Sequence, residues 1–197
     1  NTLESFGAAR KNLETIMCYI LGCNVYFCFK TRNVGSSRFQ IRSQESNSII
    51  SPSLDSLSTG QIALFNTFAT IIRYADNNDI NKSINLDSIQ GVVVVDEIEL
   101  HLHTKMQKEV LPRLIKLFPK VQFVITTHSP LFLLGMEEVF GTDGFDVYEM
   151  PTANKINVER FSEFKNAFRY LQDTKLYQVE LENTLKQASN GKKVLVV

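Results

Sequence analysis

Gly91-Val92-Val93-Val94-Val95-Asp96-Glu97 sets four β-branched residues directly before two adjacent carboxylates, and the fold is read outward from this stretch. An uninterrupted apolar run of this kind suits a central parallel strand covered on both faces. In open α/β sheets ligands sit just beyond the carboxyl ends of such strands, where Asp96 and Glu97 fall. An acidic pair at that edge can serve phosphoryl transfer, the first residue holding Mg²⁺ and the second orienting or deprotonating an attacking water. A buried strand that ends in two solvated acids fits the same residues, because short apolar runs followed by charge are common.

Two further segments bear on the choice. Leu57-Ser58-Thr59-Gly60-Gln61 follows a Ser-rich loop at 51–56 and precedes a helical pattern in which Ile62, Phe65, Ala69 and Ile72 share a face. Ser58 and Gly60 then lie at a helix N-terminus, where free N–H groups and the helix dipole favour a phosphate; ordinary N-capping by Ser58 or Thr59 is the competing account. Downstream, Gln122-Phe123-Val124-Ile125-Thr126-Thr127-His128-Ser129-Pro130 reads as a second apolar strand. Ser129 suits an N-cap and Pro130 the first helical position. His128 is thereby placed on the same sheet edge as the carboxylates, either as a structural hydrogen-bonding residue or as a phosphate sensor. Its companions favour the sensor.

In order and content these three segments resemble the ATP-binding cassette ATPases: Leu57 to Gln61 is similar to their signature motif, Gly91 to Glu97 to their Walker B strand, and His128 to their switch histidine. The wording Asp96-Glu97-Ile98-Glu99-Leu100-His101-Leu102-His103, followed by Thr126 to Pro130, is similar to the cytosolic branch that includes the RecF-like and OLD-family ATPases. The resemblance covers roughly Ser51 to Met150. It implies an α/β P-loop NTPase fold, with a mostly parallel sheet flanked by helices and incomplete in this chain, and ATP and Mg²⁺ as ligands. Asp96 then supports the metal, Glu97 is the catalytic base and His128 contacts the γ-phosphate. Ser58, Thr59, Gly60 and Gln61 bind the γ-phosphate of a nucleotide held by a second subunit, so an ATP-sandwiched homodimer or higher oligomer is part of the mechanism. His101 and His103 stand where transporters carry their D-loop, and a contact across the dimer is implied for them.

Glu99, His101 and His103 also form a recognisable metal-ligand set of one carboxylate and two imidazoles, although no H-E-x-x-H or paired C-x-x-C spacing accompanies it. The chain contains no G-x-x-x-x-G-K-S/T loop; Gly191-Lys192-Lys193 lacks both the upstream glycine and the hydroxyl residue. Without that loop no backbone cradle or lysine is present for the β- and γ-phosphates. The expectation is therefore the later part of an ATPase head, with the P-loop lobe preceding Asn1. Val194 to Val197, after a Gly-Lys-Lys turn, is similar to the opening strand of a Toprim domain, and a plain structural strand explains it nearly as well. OLD-family proteins carry a Toprim nuclease after the ATPase head, and several act in antiphage defence, some in retron systems. The resemblance thus implies an ATP-controlled DNA nuclease, with DNA and a retron RNA/DNA or effector as partners. Two alternatives stand beside it, an ATPase sensor or scaffold governing a separate effector and a RecF-like ATP clamp in DNA repair.

Composition fits this reading. A chain of 197 residues with 44% hydrophobic residues can bury one sizeable core, and a formal charge of zero supplies no global basic field for nucleic acid. The longest apolar stretch, Ile16 to Phe29, is interrupted by Gly22 and Asn24 and too short to span a bilayer, so no membrane partner is expected. Cys18, Cys23 and Cys28 read as reduced core thiols of a cytoplasmic protein. The expected organisation is a helix and β-hairpin over 1–50, an ATPase core over 51–161, a linking helical segment over 162–190 and a possible Toprim strand over 191–197. Between Tyr74 and Ser88 an Asp/Asn-rich stretch without periodicity reads as an exposed insertion, and Pro112 should kink or shorten a helix over Thr104 to Phe118.

Overall fold

In a computed structural model, residues 2–29, 39–77 and 83–156 are described. They fall into two units, Asn1–Gly144 and Phe145–Val197. In the first, helix α1 (Thr2–Leu21) leads into an antiparallel sheet of β1 (Val25–Phe29), β2 (Phe39–Ser43) and β3 (Ile49–Ser51). The buried face of α1 puts Ile16, Met17 and Ile20 in the core. Arg10 and Glu14, ion-paired on one turn of α1, tie the helix to β1: Arg10 donates to the Phe27 carbonyl and the Phe27 N–H donates to Glu14, each at 2.8 Å. That pair satisfies backbone groups that β1 directs away from β2, an effective way to close a strand edge.

Helix α2 (Thr59–Ala75) follows and is in turn followed by β4 (Gln90–Val95), a helical stretch ending in α3 (Leu111–Lys116), β5 (Lys120–Ile125) and α4 (Pro130–Phe140). Strands β4 and β5 pair in parallel over six positions, Gln90 with Lys120 through Val95 with Ile125. The result is an α/β fold in which the parallel pair carries the sequence on which the reading began. One face of the pair is covered: Phe123 meets Phe68 of α2 and Phe118, with ring centroids 6.5 and 6.4 Å apart, and Phe68 stacks on Phe118 at 5.8 Å. Phe68 and Phe118 are fully buried. The expectation of cover on both faces is corrected, because Val92 and Val94 are 64% and 75% exposed. Along β4, residues 90–95 together with Thr70 and Tyr74 of α2 line an open groove of about 660 Å³, and nothing among the described residues fills it.

Of the stretch between Tyr74 and Ser88, the described residues are mostly exposed, as its composition suggests, but three are not. Asp76, Ser83 and Leu86 are buried, and Asn12 of α1 donates to the Ile84 carbonyl at 2.7 Å, so its ends are held against α1 and α2. Cys18 and Cys28 are half-buried but Cys23 is exposed, in the turn after α1, which corrects its reading as a core thiol. In the second unit β6 (Val147–Glu149) and β7 (Asn154–Ile156) form an antiparallel hairpin, with Lys155 paired to Asp146 at 2.6 Å. The linking helical segment at 162–190 and the strand at 191–197 lie outside the described residues. Among the described residues, no helix is long and apolar enough to cross a membrane.

Pro112 acts as read, with a specific form. A π-helical stretch, Met106–Val110, precedes α3, because a proline offers no N–H to the carbonyl four residues back, that of Lys108, and its ring crowds that carbonyl. Gly135 of α4 comes against this spot, and a Cβ there would lie 2.0 Å from the Lys108 oxygen and 2.8 Å from Pro112 Cγ. Gly135→Ala is therefore expected to cost about 3 kcal/mol, the upper end for overpacking a fixed backbone, read as a lowered midpoint in chemical denaturation; an unchanged midpoint would contradict this packing.

Candidate active site

Because β4 and β5 run in parallel and in register, their carboxyl ends leave the sheet together. The ladder continues for one further bond, Thr126 N–H to the Val95 carbonyl at 3.0 Å, and the chain after β4 turns back so that Ile98 N–H donates to the Thr126 carbonyl at 3.3 Å. The Thr126 hydroxyl donates to Asp96 Oδ1 and accepts from the Glu97 N–H at 2.8 Å. One side chain thus orients the first carboxylate and pins the backbone of the second. Glu97 takes φ 48°, a left-handed conformation that non-glycine residues adopt rarely and mostly where surrounding bonds impose it. Asp96, Glu97 and His128 are all exposed, and the structure brings them to one edge as expected.

A second link lies beside the first. Glu99 accepts from the Thr127 hydroxyl at 2.7 Å through one oxygen and from the His128 N–H at 2.6 Å through the other. Burial alone would raise its pKa; the Thr127 and His128 hydrogen bonds outweigh it and hold the carboxyl below its ordinary value of 4.5. Ser129, buried, caps α4 by accepting from the Phe132 N–H and donates to Gln107 at 2.5 Å; Gln107 in turn donates to the Leu102 carbonyl at 2.8 Å. Five hydrogen bonds therefore join residues 96–99 after β4 to residues 126–128 after β5.

Ser58 is the N-cap of α2 in a reciprocal capping box: its oxygen accepts from the Gln61 N–H at 3.3 Å, and the Gln61 side chain accepts from the Ser58 N–H at 2.9 Å. The capping account is thus correct for Ser58. It leaves the N–H groups of Thr59 and Gly60 without an acceptor among the described residues, aligned with the positive end of a 17-residue helix. Gly60 is buried against the turn after β4; a Cβ there would lie 2.9 Å from the His101 carbonyl oxygen. His101, with φ 65°, is the second left-handed residue of the turn 97–101. His103 is exposed, and its Nδ1 accepts from the Lys105 N–H at 3.4 Å.

The donors suit a hard divalent cation. Asp96 and Glu97 offer exposed carboxylate oxygens, and Mg²⁺ is commonly held by one or two such groups together with water and substrate phosphates. No group of three or more His, Cys, Asp or Glu side chains among the described residues could hold a metal ion. The transition-metal reading of Glu99, His101 and His103 is therefore set aside: both oxygens of Glu99 are committed to the loop after β5.

The family described as "AAA domain, putative AbiEii toxin, Type IV TA system" matches residues 30–134, more than half of the chain. The chain belongs to this AAA-domain family. The match encloses Ser58 to Gln61, Asp96, Glu97 and His128. The AAA-domain chain is 41% identical over 81 residues to the Retron Ec83 probable ATPase of Escherichia coli, covering 41% of this chain and 15% of the relative. It is 46% identical over 56 residues to the Septu protein PtuA of Bacillus mycoides (strain KBAB4), covering 28% of this chain and 8% of the relative. The chain thus spans a small part of the length of these relatives. A solved structure described as concerning ATP-driven dimerization and DNA-stimulated activation of SMC ATPases is similar at 15% identity and a TM-score of 0.46, covering 85% of this chain and 94% of that one.

Reading the sequence located the acids and the histidine but passed over what joins them. In the sequence Thr126 and Thr127 read only as the end of a strand, and Glu99 as one member of a candidate metal-ligand set considered beside the ATPase reading. The available signal was two hydroxyl residues directly before the histidine, opposite a third carboxylate after the acidic pair. Two outcomes follow. Thr126→Val, which keeps shape but removes the hydroxyl, is expected to lower ATP turnover in the full-length protein about 10-fold, on the scale of lost positioning; unchanged turnover would contradict the bridge. Because the folded pKa of Glu99 is depressed, its contribution to stability is fully present above 4.5 and is lost as pH falls through its lowered value. The stability gap between wild type and Glu99→Ala should accordingly narrow in acid denaturation; a gap independent of pH would refute this.

Proposed function

We propose that this AAA domain is the hydrolytic half of a Mg²⁺-dependent ATPase head that completes its site against a second copy. The observation that carries the reading is the joint exit of β4 and β5, with Asp96, Glu97 and His128 exposed at one edge and cross-linked through Thr126 and Glu99. In this reading Asp96 and the phosphates of ATP share the cation, which supplies charge neutralisation for the transferred phosphoryl group. Glu97 takes a proton from the attacking water, and the His128 imidazole contacts the γ-phosphate. The free N–H groups of Thr59 and Gly60, with Ser58 and Gln61 framing them, address the γ-phosphate of nucleotide held by the second copy. His101 and His103, on the turn that touches Gly60, meet that copy.

The relatives' names favour one of the roles considered for the whole protein. A Retron Ec83 probable ATPase and a Septu protein PtuA are among the relatives, and we infer an antiphage-defence ATPase whose nucleotide state holds or releases an effector. Control of DNA cleavage by an attached Toprim domain is the second form of this proposal; it rests on the resemblance of Val194 to Val197.

Glu97→Gln in the full-length protein is expected to lower ATP turnover by at least ~100-fold, the scale of a lost general base, while nucleotide stays bound and the ATP-dependent dimer accumulates. Turnover close to wild type in a steady-state assay would remove Glu97 from its role.

A further inference from the structure

Among the described residues at the strand ends, Glu99 has both carboxylate oxygens engaged, and both partners belong to the loop that presents His128. Its own backbone is fixed from the other side: Leu100 N–H donates to the Glu97 carbonyl and Leu102 N–H to the Glu99 carbonyl, each at 2.9 Å. Two consecutive turns therefore hold Glu99 at a set distance from Glu97, and Glu99 holds the backbone of His128. The Thr126 bridge does not do this, because it ends at Asp96 and the Glu97 N–H. The His128 N–H has its acceptor in Glu99, and the Thr127 hydroxyl, which donates to Glu99, also accepts from the Ser129 N–H at 3.1 Å. Removing the carboxylate would free the backbone at 127–128 while leaving β4, β5 and the cap of α4 in place.

We propose that Glu99 is a positioning residue that fixes the distance between the base Glu97 and the phosphate-contacting His128, by buckling the loop after β5 to the turn after β4. This rests on the roles proposed above for Glu97 and His128. Reaction rates respond steeply to such distances, a misplacement of about 1 Å costing on the order of 10²-fold, whereas binding of the nucleotide as a whole is spread over many contacts. The buckle should therefore act on turnover rather than on affinity. Glutamine can replace it in part, since its carbonyl oxygen accepts from the His128 N–H and its amide donates to the Thr127 hydroxyl; alanine can do neither.

The test compares Glu99→Ala, Glu99→Gln, Thr127→Val and Glu97→Gln in the full-length protein, measuring Mg-ATP kcat and KM, affinity for a fluorescent ATP analogue, and melting temperature. Glu99→Ala should lower kcat by roughly 10- to 100-fold with analogue affinity within about 3-fold of wild type, Glu99→Gln should recover most of the loss, and Thr127→Val should fall between them. Thr127→Val keeps the His128 N–H bond and carries the test if Glu99→Ala fails to fold. Wild-type kcat in Glu99→Ala, or a loss that tracks lowered melting temperature and affinity with no recovery in Glu99→Gln, would overturn the proposal. If Glu97→Gln stays active, the site reading itself fails and the positioning role with it; if Glu97→Gln is inactive and Glu99→Ala is normal, only the positioning role fails.

Discussion

The parallel register of β4 on β5 is the constraint on which the candidate site depends. An antiparallel pair would put the end of one strand beside the start of the other, and Asp96 and His128 would stand at opposite edges. In the parallel pair Val95 and Ile125 are partners, so the next residues of each chain must emerge side by side. What happens there is decided by short polar side chains: the Thr126 hydroxyl serves Asp96 and Glu97, and the Glu99 carboxylate serves Thr127 and His128. These bonds sustain a left-handed Glu97 that the local sequence alone would not favour. Asp96, Glu97 and His128 themselves remain exposed, as the roles proposed for them require.

The turn from Asp96 to His103 has a second duty. Its first part faces the strand ends, and its later part lies against the N-terminus of α2, where Gly60 leaves no room for a side chain beside the His101 carbonyl. The edge proposed to hydrolyse ATP and the helix end proposed to address a second nucleotide are thus joined by a few residues of continuous backbone. A shift at one must be felt at the other unless the turn deforms, which gives the proposed pairing of two copies a physical route to catalysis.

Much of this was legible from residue order. The β-branched run before Asp96 announced a strand, Ser129-Pro130 announced the start of α4, and Ser58 suited an N-cap of α2. Three features were not legible. Strand periodicity says which residues alternate but not whether another element covers the second face, and Val92 and Val94 proved open among the described residues. Composition marked the stretch after Tyr74 as solvated, yet tertiary contacts bury Asp76, Ser83 and Leu86. Spacing suggested that Glu99 joins His101 and His103, because sequence neighbours are visible in a chain and a loop thirty residues away is not.

The most direct test is a structure of the full-length protein with Mg²⁺ and a non-hydrolysable ATP analogue. This account requires the cation at Asp96, the γ-phosphate beside Glu97 and His128 of one copy, and the Thr59 and Gly60 N–H groups of another copy on the same phosphate. Nucleotide bound away from the carboxyl ends of β4 and β5, or bound there with Asp96 and His128 turned from it, would contradict it.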